Sequence, residues 1–318
     1  MEDARKKLRV GVFAGGPSSE HAISLKSAAH VMQHLDPLRY EATLVEVDTQ
    51  GRWATPDIDI AFIAMHGTFA EDGTIQRLLD AQGIPHTGSS AQASAIGMNK
   101  MHAREVVAQH GLTNPRYFSI TAAADSATLD ARIRAEVGYP CIIKPNASGS
   151  SVGMSLIDDE TSLASALATA FAECDTLLIE QYIQGREFSC GVLGNTGQTA
   201  LEALPVVEII TTARFFDYDA KYDSQKTREV CPAELSPETA ARIQEAARTA
   251  HEALGCDGLT RSDFIVSTDD VLYFLETNTI PGMTEASICP KEAAALGWTF
   301  GDLLNKQIDL ALLRYRNH

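Results

Sequence analysis

Between residues 259 and 278, two β-rich runs flank Asp269-Asp270, a two-residue turn signal. With the turn centred there and no bulge, Asp263 stands opposite Glu276 and Arg261 opposite Asn278. Side chains on a strand alternate faces with period two. Arg261, Asp263, Glu276 and Asn278 then share one face, while Phe264, Val266, Tyr273 and Leu275 share the other and supply packing. Two carboxylates and an amide oxygen are hard oxygen donors. They suit Mg²⁺, or Mn²⁺ in its place, which takes one or two carboxylates and completes its shell with substrate phosphate oxygens. From spacing alone, the same four residues serve equally as the solvated face of an antiparallel hairpin.

Three other segments have chemical potential. Lys144 ends the apolar run CIIK and precedes the small-residue loop 147–153. Such a loop lets backbone N–H groups approach an anion, and the lysine adds a point charge. No G-K-[ST] ends it, so it is not a Walker A loop, and a plain hairpin loop explains it as well. Gly15-Gly16 follows the first strand without the G-x-G-x-x-G spacing of a dinucleotide site. Glu20 beyond it fits a dipole-favoured surface carboxylate or a partner for a substrate ammonium. Residues 211–232 form a long polar segment with Phe215, Phe216, Tyr218 and Tyr222, too aromatic for disorder and long enough for a lid carrying Lys221 and Tyr222.

Elements that place these groups can be read from periodicity. Strands at 8–14, 41–47 and 59–65 alternate with helices containing Ile23, Ala28, Val31 and Leu35 and spanning 74–81. This predicts an α/β layer with mainly parallel strands, whose C-terminal ends carry Gly15-Gly16 and His66-Gly67. An Ala-rich helix is expected over 91–110, then a strand at 116–120, a helix near 125–137, strand–loop–strand over 140–157, a helix at 161–173 and a strand at 176–183. The C-terminal third reads as strands at 187–194 and 200–210, the segment 211–232, a helix over 237–254, the hairpin, and a last helix over 291–313. Three units follow: 1–96, 97–187 and 188–318.

The 318 residues suffice for two or three domains at roughly 100–200 residues each. Lys and Arg number 26 against 42 Asp and Glu, a net charge of -16. That balance repels nucleic-acid phosphates but leaves room for a local cationic cluster around an anionic substrate. The 6 cysteines, at 141, 174, 190, 231, 256 and 289, include no C-x-x-C pair, and the 9 histidines form no H-E-x-x-H. Zinc and a disulfide framework are not expected, and scattered thiols fit a reducing cytoplasm. The N-terminal apolar run is too short for a signal peptide or a membrane span.

Taken in order, GGPSSEHAISL (15–25), HGTFAEDGTIQRLLDAQGIPHTGSS (66–90), KPNASGSSVGM (144–154), IEQYIQGREF (179–188), FFDYDAKY (215–222) and TRSDFIV with FLETNTIPGMTEAS (260–287) resemble the D-alanine–D-alanine ligases of the ATP-grasp superfamily. The resemblance covers nearly the whole chain. It implies an N-terminal parallel α/β domain and two further domains whose antiparallel sheets sandwich ATP. It also implies ligation of two D-alanine molecules through an acyl phosphate, for peptidoglycan and so for cell-wall synthesis and cell shape. It further implies a cytoplasmic homodimer with no nucleic-acid or membrane partner.

Site roles follow from the resemblance, position by position. Glu20 matches the residue holding the first D-alanine ammonium, and His66 one near its carboxylate. Lys100 and Lys144 match two phosphate-binding lysines, Ser151 and Val152 a phosphate-covering loop, and Lys221 a γ-phosphate contact from the lid. Ser150 matches a link from Glu20 to Tyr222. Glu180, Ile183 and Glu187 match adenine and ribose contacts. Asp263, Glu276 and Asn278 match the ligands of two Mg²⁺ ions. Arg261 and the Gly282 N–H match oxyanion stabilisers, and Ser287 and Ile288 the second substrate's carboxylate site. Gln181 departs from a common Lys, Ile288 stands where Leu is commoner, and Cys289 reads as a small buried hydrophobe or a regulatory thiol. Ligation of D-alanine to D-lactate or D-serine, and a non-catalytic nucleotide-binding relative, are the alternatives. The Ala220-Lys221-Tyr222 pattern opposes the first, and the full set of metal and phosphate positions opposes the second.

Overall fold

The computed structural model describes residues 6–54, 56–122, 126–147, 153–211 and 227–316. Strand β1 (Leu8–Gly15) lies between β2 (Tyr40–Val47) and β3 (Ile60–Ile63), all parallel, with helix α1 (His21–His34) crossing over from β1 to β2. β1 is apolar on both sides and buried almost throughout, as a central parallel strand must be. Val10, Val12, Ile60 and Phe62 pack one face against Leu303, Leu304 and Ile308 of the helix Phe300–Arg316, so the C-terminus closes the N-terminal layer. The other face holds Phe13, Ile63 and Met65 against Ile75 and Leu79 of helix α2 (Thr74–Ala81).

The stretch 91–110 is not one helix. Helix α3 (Ala91–Met98) ends at Asn99, whose extended backbone breaks the run and whose side chain caps helix α4 (Lys100–Gln109) by accepting from the His102 N–H at 3.1 Å. The α4 start is bolted to the strand carrying Lys144: Asn146 accepts from the Lys100 N–H through its carbonyl at 3.2 Å and from the Met101 N–H through Oδ1 at 3.1 Å.

An antiparallel sheet follows in the order β4 (Tyr117–Thr121), β7 (Thr176–Gln181), β5 (Cys141–Pro145), β6 (Ser155–Ile157). Ile143, Ile179 and Phe118 cover one of its faces, backed by Ile133 and Ala166 from the helices Ser126–Glu136 and Leu163–Phe171.

The last sheet runs β11 (Thr227–Val230), β10 (Val207–Thr211), β8 (Gly185–Asn195), β12 (Asp257–Ser267), β13 (Leu272–Asn278), with β9 (Glu202–Ala203) paired to β8. The expected strand 200–210 is therefore split, around Pro205, which has no N–H for a ladder. The expected loop 211–232 contains a strand, because Thr227–Val230 pairs antiparallel with β10. Residues 212–226, and with them Lys221 and Tyr222, lie outside the described residues, as do Ser150, Ser151 and Val152. The expected helix 291–313 is two, Ile288–Ala295 and Phe300–Arg316. Gly297 intervenes at φ +81, and Thr299 and Asp302 form a reciprocal capping box, Thr299 N to Asp302 Oδ2 at 2.9 Å and Asp302 N to Thr299 Oγ1 at 3.1 Å.

In the hairpin, Arg261 pairs with Asn278 and Asp263 with Glu276 as expected, but the turn is not the expected two residues: Val266 faces Leu272 and the Ser267 N–H donates to the Val271 carbonyl, so residues 268–270 make the turn and the one-residue bulge offsets the difference. A bulge then shifts the register, and Phe264 faces Phe274. The two rings pack edge to face at 5.9 Å, both buried, beside Val192, Ile243 and Ala247 from β8 and the helix Pro237–Ala253. Phe274 thus takes the packing role expected of Tyr273 and Leu275, and Leu275 has no residue opposite it.

Candidate active site

Two cavities lie side by side. The first, of 370 Å³, is walled by Ile142, Lys144, Glu180 and Ile183 from the middle sheet and by Glu187, Ser189, Asp263, Ile265 and Leu275 from the last. The second, of 280 Å³, is walled by Glu20, His66, Lys100, Asn278, Gly282 and Ser287. Arg261, Glu276, Glu229 and Ile288 line both. A slot and a smaller chamber, both of mixed polar and apolar lining, thus meet at a carboxylate and a guanidinium.

In the chamber, the β1 and β3 ends deliver Glu20 and His66. His66 is buried, its Nε2 2.9 Å from Ser27 Oγ, and its N–H donates to Ser24 Oγ at 3.0 Å. Gly67 has φ +77, and a Cβ there would stand 2.8 Å from Glu20 Oε2, so the Glu20 carboxylate rests directly on a glycine that only glycine can be. Across the chamber, Ser287 precedes the helix Ile288–Ala295 and its hydroxyl is held by Thr284, Oγ1 to Oγ at 2.8 Å. A Cβ on Gly282 would lie 2.7 Å from that same hydroxyl. The backbone N–H groups at that helix start and its dipole favour a carboxylate.

Charge is concentrated where the cavities meet. The Lys144 ammonium is 2.9 Å from Glu180 Oε1, and Arg104 Nη1 is 2.6 Å from Glu180 Oε2. Burial pulls Lys144 down to about 8, against the raising effect of Glu180. Burial pushes the Glu180 carboxyl up, but Arg104 and Lys144 outweigh it and hold it below the usual range. Glu180 therefore lines the slot with its carboxylate already spent on two cations. Lys100 lies in the chamber wall instead, 3.2 Å from Glu276. Arg261 forks onto Asp263, which also accepts from Ser189 Oγ at 2.5 Å. Burial pulls the Arg261 guanidinium down, yet Asp263 more than offsets this and it is held above its ordinary value. Burial, and then Asp263 and Glu276, push the Glu187 carboxyl up to about 8.

Among the described residues no three His, Cys, Asp or Glu side chains form a metal cage. The hairpin offers two carboxylates and an amide, which fits a cation sharing phosphate and water oxygens rather than one enclosed by protein. Asn278 Oδ1 accepts from the Ile280 N–H at 2.9 Å and retains a second lone pair. Cys289 is fully buried with its thiol pushed well up by burial, so it packs and does not react.

Arg104, Ser189 and Glu229 escaped the sequence reading. Arg104 had one signal: it sits four residues after Lys100, hence on the same helix face. Ser189 stands opposite Asp263 in the β8–β12 ladder, which no local pattern announces.

Comparison with known proteins adds to this geometry. Residues 106–309 match the family model of the D-ala D-ala ligase C-terminus, and residues 9–58 and 54–89 match that of its N-terminus. The chain is 41% identical to the D-alanine–D-alanine ligase of Syntrophobacter fumaroxidans, over 96% of this chain and 98% of the relative. Among solved structures it is similar to a D-Ala:D-Ser ligase from Enterococcus faecalis, with TM-score 0.87, 29% identity, and 96% and 100% of the two chains covered. It is also similar to the Bacillus anthracis D-alanine–D-alanine ligase complexed with ATP, with TM-score 0.82, 31% identity, and 98% and 99% covered. No helix of the described residues is long and apolar enough to cross a membrane.

Proposed function

The chain belongs to the D-alanine–D-alanine ligase family, and on that premise we propose how its cavities carry out ATP-dependent joining of two D-alanine molecules. The slot takes ATP, its adenine among Ile183, Glu187 and the backbone near Glu180, its phosphates toward Lys144 and Lys100. The chamber takes D-alanine. Glu20 faces its ammonium, and His66 lies near its carboxylate. That carboxylate attacks the γ-phosphorus, ADP leaves, and an acyl phosphate forms. The amine of a second D-alanine, its own carboxylate at Ser287 and Ile288, attacks the acyl carbon. Phosphate then departs with the C–O electron pair, and the amine's proton is lost.

The observation that carries this reading is the junction: Arg261 and Glu276 line both cavities, so one place serves phosphoryl transfer and acyl transfer. There Arg261, with the Gly282 N–H, stabilises the oxyanion of the tetrahedral intermediate, a charge neither substrate has. Asp263, Glu276 and Asn278 would hold Mg²⁺, which neutralises phosphate charge when bound. Their support is the oxygen donor set on one sheet face. The roles of Ser150, Ser151, Lys221 and Tyr222 rest on sequence resemblance.

The same reading divides the chain at 96 and 187, although helix α3 (Ala91–Met98) and strand β8 (Gly185–Asn195) run through those two positions and Glu187 belongs to the last sheet. The reading makes the protein cytoplasmic and homodimeric, with peptidoglycan synthesis as its setting; sedimentation of the purified chain measures the dimer. Incubation with ATP, Mg²⁺ and D-alanine, D-serine or D-lactate tests the reaction. D-alanyl-D-alanine with one ADP per dipeptide is expected. D-alanyl-D-serine or a depsipeptide as the main product from equal mixtures would overturn it.

A further inference from the structure

Among the described residues, Arg104 is the largest fully buried side chain. An arginine cannot shed its charge, so a buried guanidinium persists only where partners replace water. Its partners lie on β7 and β4, which are neighbours in the middle sheet, and on β13 of the last sheet. Nη1 lies 2.6 Å from Glu180 Oε2 on β7. Nε and Nη2 both donate to the carbonyl of Leu275 on β13, at 3.3 and 3.2 Å. The guanidinium carbon lies 5.3 Å from the Tyr117 ring centre on β4.

Leu275 is the unopposed residue of the bulge, and the next residue is Glu276. Bulges re-aim side chains next to active sites. One turn earlier on α4, Lys100 grips the Glu276 carboxylate at 3.2 Å. Helix α4 therefore holds the Leu275–Glu276 step twice, by its carbonyl from Arg104 and by its side chain from Lys100. The same Arg104 braces Glu180, whose other oxygen anchors Lys144 at 2.9 Å.

We propose that Arg104 is a positioning residue that fixes the phosphate lysine of the middle sheet relative to the bulged carboxylate edge of the last sheet, and so sets the spacing of the nucleotide's polyphosphate site. Only arginine serves both partners, because its planar fork donates to the Leu275 carbonyl from Nε and Nη2 while Nη1 forms the ion pair with Glu180; a lysine reaches one. This rests on the ligase reading above, and it deepens that reading by naming what aligns the two walls.

The test uses the full chain with R104K and R104Q. The first keeps the charge and loses the fork; the second keeps a donor and loses the charge. Dissociation constants for MgADP are measured by calorimetry, well below each variant's melting temperature, beside the KM for ATP and for D-alanine. Loss of a positioning partner typically costs about 10–100-fold in affinity or activity. The expected result, in either folded variant, is MgADP binding weakened by about tenfold or more, a matching rise in KM for ATP, and an unchanged KM for D-alanine. Wild-type MgADP affinity in a folded variant would overturn the proposal. So would equal weakening toward ATP and D-alanine, or failure of both variants to fold, since Arg104 would then be a general folding determinant. Dipeptide formation by the unaltered protein is scored separately, so a failure of the ligase reading is not confused with a failure of this one.

Discussion

Arg261 and Asp263, two residues apart on one strand, hold each other in a bidentate pair, Nε to Oδ1 at 2.9 Å and Nη2 to Oδ2 at 2.8 Å. The proposed oxyanion donor and a proposed metal ligand thus neutralise one another. An Asp263 that shares its oxygens with a cation loosens its claim on the guanidinium. A cation held by Asp263 would therefore compete with Arg261 for the same two oxygens.

That coupling predicts the behaviour of Arg261→Met. The oxyanion loses its donor, and turnover falls by ~10²–10³. Asp263 loses its internal counter-ion, so its attraction for a divalent cation does not weaken. ATP affinity, read by calorimetry, should change less than tenfold. A tenfold loss of ATP affinity with turnover intact would place Arg261 at the nucleotide instead.

Glu276→Gln separates chemistry from fold. The Glu276 side chain is 37% exposed and its amide variant keeps nearly the same volume, while Lys100 loses one counter-ion. The melting temperature should drop by no more than about 2–4 °C. Turnover should collapse, and the Mg²⁺ concentration for half-maximal rate should rise. Wild-type turnover at limiting Mg²⁺ would remove Glu276 from the metal set.

The face shared by Asp263 and Glu276 was legible from period-two alternation, and their pairing came out as expected because a three-residue turn (268–270) and the bulge offset one another. The bulge was not legible, since one inserted residue changes no local propensity while moving Phe274 into the place assigned to Leu275. The break at Asn99 was hidden by the Ala-rich run around it, although Asn is a cap residue. The Arg104 contact to Leu275 spans 171 residues, and nothing short of the assembled sheets brings them together. Likewise the split at Gly297 shows in a T-x-x-D box that a continuous helical periodicity overrode.

As the proposed phosphate-binding lysine, Lys144 should give nucleotide binding a pH dependence. Burial lowers its ammonium to about 8. Below that pH the cation is already formed when phosphate arrives, so affinity is flat. Above it, binding an anion must first restore the proton, and affinity falls about tenfold per pH unit. Calorimetry at pH 7 and pH 9, in buffers of different ionisation heat, should show proton uptake only at the higher pH. Lys144→Arg, which stays charged throughout, should abolish that uptake. Uptake that persists in the variant would assign the proton to another group.

The second substrate brings the opposite slope. Its amine must be neutral to attack, and a model α-amino group has a pKa of about 7.7–8.0, with a free amino acid higher still. At saturating ATP, dipeptide formation should therefore rise from pH 6 to pH 9 at fixed total D-alanine. At limiting ATP the same rise should flatten above about 8, where the buried Lys144 begins to lose its proton. D-serine carries the same amine and should share this profile at a lower rate. D-lactate needs no deprotonation to enter, but its hydroxyl is a weak nucleophile that requires a base at the attacking oxygen. A phenol at position 222 is neutral over this range and supplies neither a base nor a counter-charge. Equal D-alanine and D-lactate, supplied at pH 6 and pH 9 and resolved by mass, should give dipeptide at both. Depsipeptide as a major product at pH 6 would assign the second site to a hydroxy acid.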